Sequence, residues 1–196
     1  MLIADLENKP IDDENVFFIQ GPVNDATLQR ANLASAKTVI ILGQDRLEVT
    51  ARDAQVVLAA LTVESINPQA YTIVELVDPA HAPFCERAHA NEIIVGNELS
   101  SRLISRATLH HGMSKVVSDL LSASHGNELY TLAIPASLVG RAFIEVFLEI
   151  KQHYDSIVLA VQHGEDGAVL TNPPGTYQLA AGDALIIIAQ ERPHLK

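Results

Sequence analysis

Short aliphatic runs that alternate with helical segments constrain the fold of this chain more than any other feature. The runs in its first hundred residues span 38–43, 71–77 and 92–95, and hydrophobic periodicity predicts helices over 48–65, 79–90 and 98–109. Strands joined by helices run parallel, because the connection has to cross back over the sheet. Continuous apolar runs are typical of parallel strands that are covered on both faces. This region therefore predicts an open parallel sheet wrapped by helices.

The beginning of the chain predicts an incomplete version of such a sheet. Residues 2–6 and 16–21 predict two more strands, followed by a helix over 25–33 that Asn24 caps. A dinucleotide-binding half starts instead with a strand, a Gly-x-Gly-x-x-Gly turn and a helix, and none of the ten glycines has this spacing. The absent strand is the central one in the 3-2-1-4-5-6 order. We therefore expect a gap between the strands at residues 2–6 and 38–43, a rearranged pairing, or a segment supplied by another chain.

The second half of the chain follows a different pattern. A helix over 114–122 comes after the junction His110-His111-Gly112. From about residue 125, the apolar runs predict strands over 129–134, 157–161, 168–170 and 184–189, with a helix over 142–150. Within residues 172–189, a Pro-Pro turn, a short strand, the turn at Gly182-Asp183 and an apolar strand form a compact β-unit. The sequence thus predicts a second, α+β domain.

Composition disfavours several classes of function. The 13 basic and 24 acidic residues give a net charge of −11, which disfavours binding to nucleic acid and to anionic lipid. The single cysteine excludes an internal disulfide and a cysteine zinc cluster. No window is apolar over the eighteen or so residues of a membrane span. We find no Gly-x-Ser-x-Gly elbow, Walker loop or His-Glu-x-x-His motif, so nothing here predicts catalysis.

Three passages carry a resemblance to a known family. They are the strand–glycine–helix passage over 19–36, the helix beginning at Glu98-Leu99-Ser100, and the Asn172-Pro173-Pro174 turn followed by Ala181-Gly182-Asp183. In this order they resemble the RCK family, the regulators of potassium conductance, also known as TrkA-N plus TrkA-C domains. The resemblance covers nearly the whole chain, and it is carried by the order of the passages rather than by one motif. It implies an α/β, Rossmann-like open parallel sheet that lacks its first βα unit, then crossover helices and a small α+β TrkA-C-like domain.

The resemblance also implies a domain organisation and partners. The truncated N-terminal domain with its crossover junction would span residues 1–112, the crossover helix 113–124 and the C-terminal domain 125–196. Family members are modules at the cytoplasmic face of the cell membrane that form homodimers and, in many cases, an octameric gating ring. They act on a potassium-channel pore or on a transporter membrane subunit. The helix over 114–122 would embrace a partner subunit, or it packs on this chain's own second domain.

Glu75 is the candidate metal ligand. It lies near the C-terminal end of a predicted parallel strand, where open sheets bind ligands. In calcium-gated relatives, carboxylates on this strand and at the end of the preceding one hold the ion, but the other matching positions are Val77 and Leu42. Calcium takes six or more oxygen ligands, so nearby acids such as Asp45 would have to contribute. The alternative is a carboxylate that makes an ordinary hydrogen bond at the sheet edge.

Two more segments are candidates for binding a cofactor. Asp5 ends the first predicted strand, where a dinucleotide-binding half carries its ribose-binding acid. It contacts a ribose, or it is a solvated acid at a strand end. Gly43, Gln44 and Asp45 border the same crevice and contact an adenine or ribose, or they form a plain strand-to-helix turn. The cofactor is therefore not identified, and calcium and an adenine nucleotide are the candidates.

Three functions follow from these patterns. The first is a regulatory module that binds a ligand in its crevice and gates a potassium channel or transporter through rearrangement of a dimer or ring. The second is a degenerate NAD-binding enzyme remnant, and the third is a dimerisation module without a ligand. The absent βα unit indicates a fragment or an internal start of a longer protein, or residues supplied by another chain.

Overall fold

The computed structural model describes residues 1–122, 126–164 and 167–195. The chain divides into two compact units, Met1–Arg102 and Leu103–Lys196. The predicted start of the C-terminal domain at residue 125 lies outside the described residues. The domain limits expected from the sequence therefore remain a prediction.

The first unit alternates strands and helices in the predicted order. Its elements are β1 (Leu2–Ala4), β2 (Phe18–Gln20), α1 (Asp25–Arg30), β3 (Thr38–Ile41), α2 (Val49–Ile66), β4 (Tyr71–Leu76), α3 (Ala82–Arg87) and β5 (Glu92–Val95), and α4 (Gly96–Leu109) continues into the second unit. Asn24 caps α1 as predicted, because its side chain accepts a hydrogen bond from the Thr27 N–H at 3.0 Å. The predicted helix over 79–90 is instead a 3-10 turn, Pro79–His81, followed by α3.

The parallel strands of this unit form two separate sheets. β1 pairs with β2, and β4 lies between β3 and β5. No described strand pairs with both β1 and β3, which agrees with the gap, one of the three alternatives expected where the central strand is absent. The expectation that residues 38–43 are covered on both faces is wrong, since Ile40 is 64% and Leu42 67% exposed. The physical reason is that Ile40 and Leu42 share one face of the strand, and the described residues leave that face open.

One face of the β3–β5 sheet carries the core of the first unit. The α2 residues Val56, Ala60 and Val63 are buried, and their spacing places them on one side of the helix. They belong to the same cluster as Val74 and Leu76 of β4. Ile3 of β1 also packs on this cluster, so the β1–β2 pair shares the core without pairing with β3.

The second unit is the predicted α+β domain. Its elements are α5 (Met113–Leu120), β6 (Glu128–Ala133), α6 (Phe143–Tyr154), β7 (Ile157–His163), β8 (Val169–Thr171) and β9 (Asp183–Ala189). The strands form an antiparallel sheet in the order β6-β9-β7-β8. Val146 and Ile150 of α6 are buried in one cluster with Val161, Leu185 and Ile187 of the sheet.

The short strand predicted before the Gly182-Asp183 turn is wrong. Gln178 makes only one isolated bridge, with Ala142. The backbone around Gln178 is occupied by the loop in front of α6, because Leu179 N–H donates to Arg141 and Phe143 N–H donates to Tyr177. The segment therefore closes over the start of α6 instead of adding a strand to the sheet.

Core burial predicts a contrast between two leucines of the first unit. Leu76 is 1% exposed in β4, whereas Leu42 is 67% exposed just after β3. Leu76→Ala should lower the free energy of unfolding by about 2–5 kcal/mol, because it leaves a cavity in the core. Leu42→Ala is the matched control and should change it by less than about 0.5 kcal/mol. Urea denaturation of the isolated chain measures both, and equal losses would contradict this assignment of the core.

Candidate ligand-binding site

The C-terminal edge of the β3–β5 sheet gathers most of the residues that the sequence singled out. Open parallel sheets bind ligands at this edge, because the loops that leave the strands form a crevice there. Glu75 lies one residue before the end of β4, and the turn over residues 43–45 follows β3. Both contact the first turns of α2, which begins at Val49.

Arg52 of α2 joins two of the predicted residues. Its Nη2 donates to Glu75 Oε2 at 2.8 Å, and its Nη1 lies 2.9 Å from Asp45 Oδ1. The Arg52 side chain is 16% exposed, compared with 37% for Glu75 and 93% for Asp45. The carboxylate of Glu75 thus already has a cationic partner in the folded chain. Sequence reasoning missed Arg52, although it is the sole basic residue of α2 and follows an acidic loop.

Gly43 makes room for this arginine. A β-carbon at Gly43 would collide with Arg52 Nε and with the aliphatic carbons Cγ and Cδ of the same side chain. Gln44 accepts a hydrogen bond from Arg46 Nε at 3.0 Å, and its carbonyl accepts one from Leu47 N–H at 3.1 Å. Residues 43–45 therefore form a strand-to-helix turn whose shape admits Arg52. A contact from this turn to an adenine or ribose remains a prediction.

Asp5 lies near the same turn. Arg46 Nη2 is 3.6 Å from Asp5 Oδ2, and the same arginine contacts Gln44. Both charged side chains of this pair are exposed, so it contributes little to stability. The structure thus brings Asp5 and the β3 turn together through Arg46, an arrangement that the sequence did not reveal.

Asp53, the residue after Arg52, is fully buried and holds the loop that follows β4. Its carboxylate accepts hydrogen bonds from Val77 N–H at 3.1 Å and from Asp78 N–H at 3.0 Å. Its Oδ2 also lies 2.8 Å from His81 Nδ1. Two neighbouring residues of α2 therefore fix the end of β4, one through Glu75 and the other through the loop backbone.

Burial and hydrogen bonding act on the Asp53 carboxyl in opposite directions. Burial by itself raises its pKa, because it disfavours the charged form. The hydrogen bonds from His81, Asp78 and Val77 and the His81 charge together outweigh burial, so the pKa of Asp53 lies below its ordinary value. Burial and then the Asp53 charge raise the pKa of Cys85, which keeps this buried thiol protonated.

A second cluster of titratable groups lies in the second unit. The buried Asp183 accepts hydrogen bonds from Ala180 N–H at 2.8 Å and Tyr177 OH at 3.2 Å, and His163 Nδ1 lies 2.8 Å away. Burial, then the Asp183 charge and hydrogen bond, raise the pKa of Tyr177. Asp183 thereby fixes the turn at Gly182.

Elsewhere in this unit, a cavity of about 450 Å³ lies between the 132–135 and 192–195 segments, away from the predicted residues.

The described part of the chain contains neither a metal-binding cluster nor a membrane-spanning helix. Within it, no group of three His, Cys, Asp or Glu side chains is placed to hold a metal ion. Metal binding at Glu75 therefore remains a prediction. In the same residues, no helix has the length and apolar character needed to cross a membrane.

Two family models match the chain. Residues 97–196, about half of it, match the model described as Castor and Pollux, part of voltage-gated ion channel. Residues 5–74 match the model described as calcium-activated potassium channel slowpoke-like RCK domain. The two matches fall in the order expected from the sequence passages.

Individual relatives agree with these models. YugO of Bacillus subtilis, whose name places it among potassium channels, is 34% identical over 180 residues, which are 89% of this chain and 53% of YugO. The calcium-gated potassium channel TvoK of Thermoplasma volcanium is 24% identical over 183 residues, which are 91% of this chain and 51% of TvoK. The chain thus spans about half the length of these relatives. The human SLO3 gating ring aligns with a TM-score of 0.73 at 16% identity, over 89% of this chain and 36% of that one, and supports the fold alone.

A Rossmann-like unit followed by an α+β unit thus matches two family models, and both models describe parts of ion channels. The chain belongs to the RCK family, the regulators of potassium conductance.

The low pKa of Asp53 predicts how stability depends on pH. Because the folded-state pKa lies below the unfolded value of about 3.9, ionisation of Asp53 stabilises the fold above that pH. This contribution is lost as the pH falls through the folded-state pKa. Asp53→Asn should lower the free energy of unfolding at neutral pH by about 1.5–3 kcal/mol, and the difference should shrink well below pH 3.9.

Urea denaturation of the wild type and of Asp53→Asn, at neutral pH and at a pH well below 3.9, measures this difference in the free energy of unfolding. Asp12→Asn, at an exposed aspartate, is the control and should have no effect at either pH. A loss for Asp53→Asn that stays the same in acid would show that the carboxylate charge is not what stabilises the loop.

Proposed function

We propose that this chain is a ligand-sensing regulatory domain at the cytoplasmic face of the cell membrane, where it gates a potassium channel or transporter. The observation that carries the proposal is the C-terminal edge of the β3–β5 sheet together with the end of the separate strand β1. Three ion pairs link its segments there: Asp5–Arg46, Asp45–Arg52 and Glu75–Arg52. A polar ligand that replaces one of these pairs changes how the segments are held together.

Such a change gates a pore only through differential binding. A ligand shifts an equilibrium between two conformations by the difference between its affinities for them. The ion pairs at the edge provide that difference if one conformation keeps them and the other opens them for the ligand. In the proposal, the two conformations are two arrangements of paired subunits in a dimer or ring, and attachment to a pore converts their exchange into gating.

For the ligand, the two classes predicted from the sequence are alternatives at this edge. Calcium would use Glu75 with Asp45, and the name of the relative TvoK describes a calcium-gated channel. An adenine nucleotide would use Asp5 and the turn over residues 43–45, which Arg46 already connects. Sensing is favoured over catalysis, because each of the three acidic groups, Asp5, Asp45 and Glu75, is paired with an arginine and, among the described residues, none is paired with a nucleophile.

Exposed apolar helix surfaces support the proposed dimer. No residue of α5 is buried, and Val116 is exposed on it. In α4, the exposed apolar residues include Leu99, Ile104 and Leu109. Clusters of exposed apolar side chains mark protein interfaces, and homodimers are the commonest way to cover them. An octameric gating ring would assemble from four such dimers.

The dimer proposal predicts the mass of the chain in solution. Light scattering after size-exclusion chromatography should give twice 21.2 kDa for the wild type. Val116→Asp should give 21.2 kDa, because a carboxylate in an apolar interface has to be desolvated. The control Leu58→Asp changes an equally apolar, exposed residue on α2 and should leave the dimer intact. A monomeric wild type, or a dimer that Leu58→Asp alone disrupts, would contradict the proposal.

Attachment to a pore predicts the size and location of the native gene product. An antibody against this chain should detect a band well above 21.2 kDa in the membrane fraction of source cells. Cells that lack the gene are the control for antibody specificity. A band at 21.2 kDa in the soluble fraction alone would overturn the fused channel and leave a free regulatory subunit.

A further inference from the structure

We propose that the positively charged Arg52 side chain takes the place of a bound cation at the C-terminal edge of the β3–β5 sheet and that it excludes calcium from Glu75 and Asp45. The inference rests on the proposed function only in taking this edge as the sensing site. It assigns to one side chain the choice between the two ligand classes.

The geometry of the arginine fits this role. Its two terminal nitrogens reach two different carboxylates, with distances of 2.8 Å to Glu75 and 2.9 Å to Asp45. A guanidinium offers several donors in a fixed planar fork, which suits simultaneous contact with two acidic groups. The single positive charge therefore lies between the two carboxylates that calcium would have to share.

Arg52 is also held in place. Its side chain is mostly buried and lies beside Gly43, where a β-carbon would displace it. Arginine side chains carry a positive charge in proteins. A cation can bind both carboxylates without this positive charge beside it only when the Arg52 side chain moves away from them.

The binding of calcium would release too little free energy to displace the Arg52 side chain. It takes six to eight oxygen ligands, and Arg52 uses one oxygen of each carboxylate. The neighbouring positions Val77 and Leu42 add no side-chain oxygen. A calcium ion placed beside the guanidinium would also be repelled at a distance of a few ångströms. The positive charge of Arg52 thus offsets the negative charge of the two carboxylates, which would otherwise attract calcium.

The same arrangement leaves hydrogen-bond donors for another kind of ligand. Arg52 Nε is not among them, because it is buried against Gly43. The nearby Arg46 is exposed and pairs weakly with Asp5. The guanidinium of Arg46 suits a ligand that carries oxygen acceptors, which favours the nucleotide class over a divalent cation.

Calcium titration of variants tests the inference. Isothermal titration calorimetry and the melting temperature should show no response of the wild-type chain to calcium up to about 1 mM, the range of weak sites. Arg52→Gln removes the charge and keeps a similar length, so it should bind calcium at least about tenfold more tightly than the wild type. Adding Glu75→Gln to this variant should abolish the gain.

Two further variants keep the test decisive. Arg46→Gln removes an exposed arginine from the same edge and should leave calcium binding as weak as in the wild type. If Arg52→Gln does not melt cooperatively, Arg52→Met replaces it, because methionine is also uncharged and of similar length, and it should likewise permit tighter calcium binding than the wild type. Failure of the folded Arg52 variant to gain affinity, or wild-type binding of calcium that Glu75→Gln removes, would overturn the inference.

A panel of adenine nucleotides on the wild type separates this inference from the proposed function. A rise in melting temperature with a nucleotide supports sensing at the site. The absence of any nucleotide response, together with a calcium gain in Arg52→Gln, would confirm the role of Arg52 and count against the proposed sensing function.

Discussion

The packing of α2 against β4 determines where the functional groups of the first unit lie. Val56, Ala60 and Val63 fix one side of the helix on the sheet, which sets the rotation of α2 about its axis. That rotation places Arg52 at the crevice edge and its neighbour Asp53 inside the protein. Successive helical residues point about 100° apart, so one turn of α2 serves the core, the loop and the edge.

The charged edge balances two acidic groups against one arginine. A carboxylate pair without a partner repels itself and attracts cations, whereas a pair bridged by a guanidinium is closer to neutral and fixed in shape. Such an edge responds to a ligand by exchanging partners, which needs little change in the core beneath it. Stability and response are therefore assigned to different residues: Val74 and Leu76 are buried in the core, while Glu75 between them reaches the crevice.

Local patterns predicted much of the fold because they depend on neighbours in sequence. The strand over residues 92–95 was predicted with the bounds of β5, and the Asn24 cap and the gap beside β3 were also predicted. Glu75 was correctly expected at the sheet edge. Its partner was not, because Arg52 and Glu75 are 23 residues apart and no local pattern relates them. The exposure of Ile40 was missed for a similar reason, since burial depends on what covers a strand.

The sequence by itself determined the order of elements and the two-part α/β and α+β organisation. These properties follow from hydrophobic periodicity, turn residues and glycine spacing, all of which act over a few residues. Only the tertiary structure decided which charges meet: Arg52 with Glu75 and Asp45, and Asp53 with the loop after β4. The physical reason is that ion pairs act through space over a few ångströms. Their partners are fixed when the core sets the position and rotation of α2.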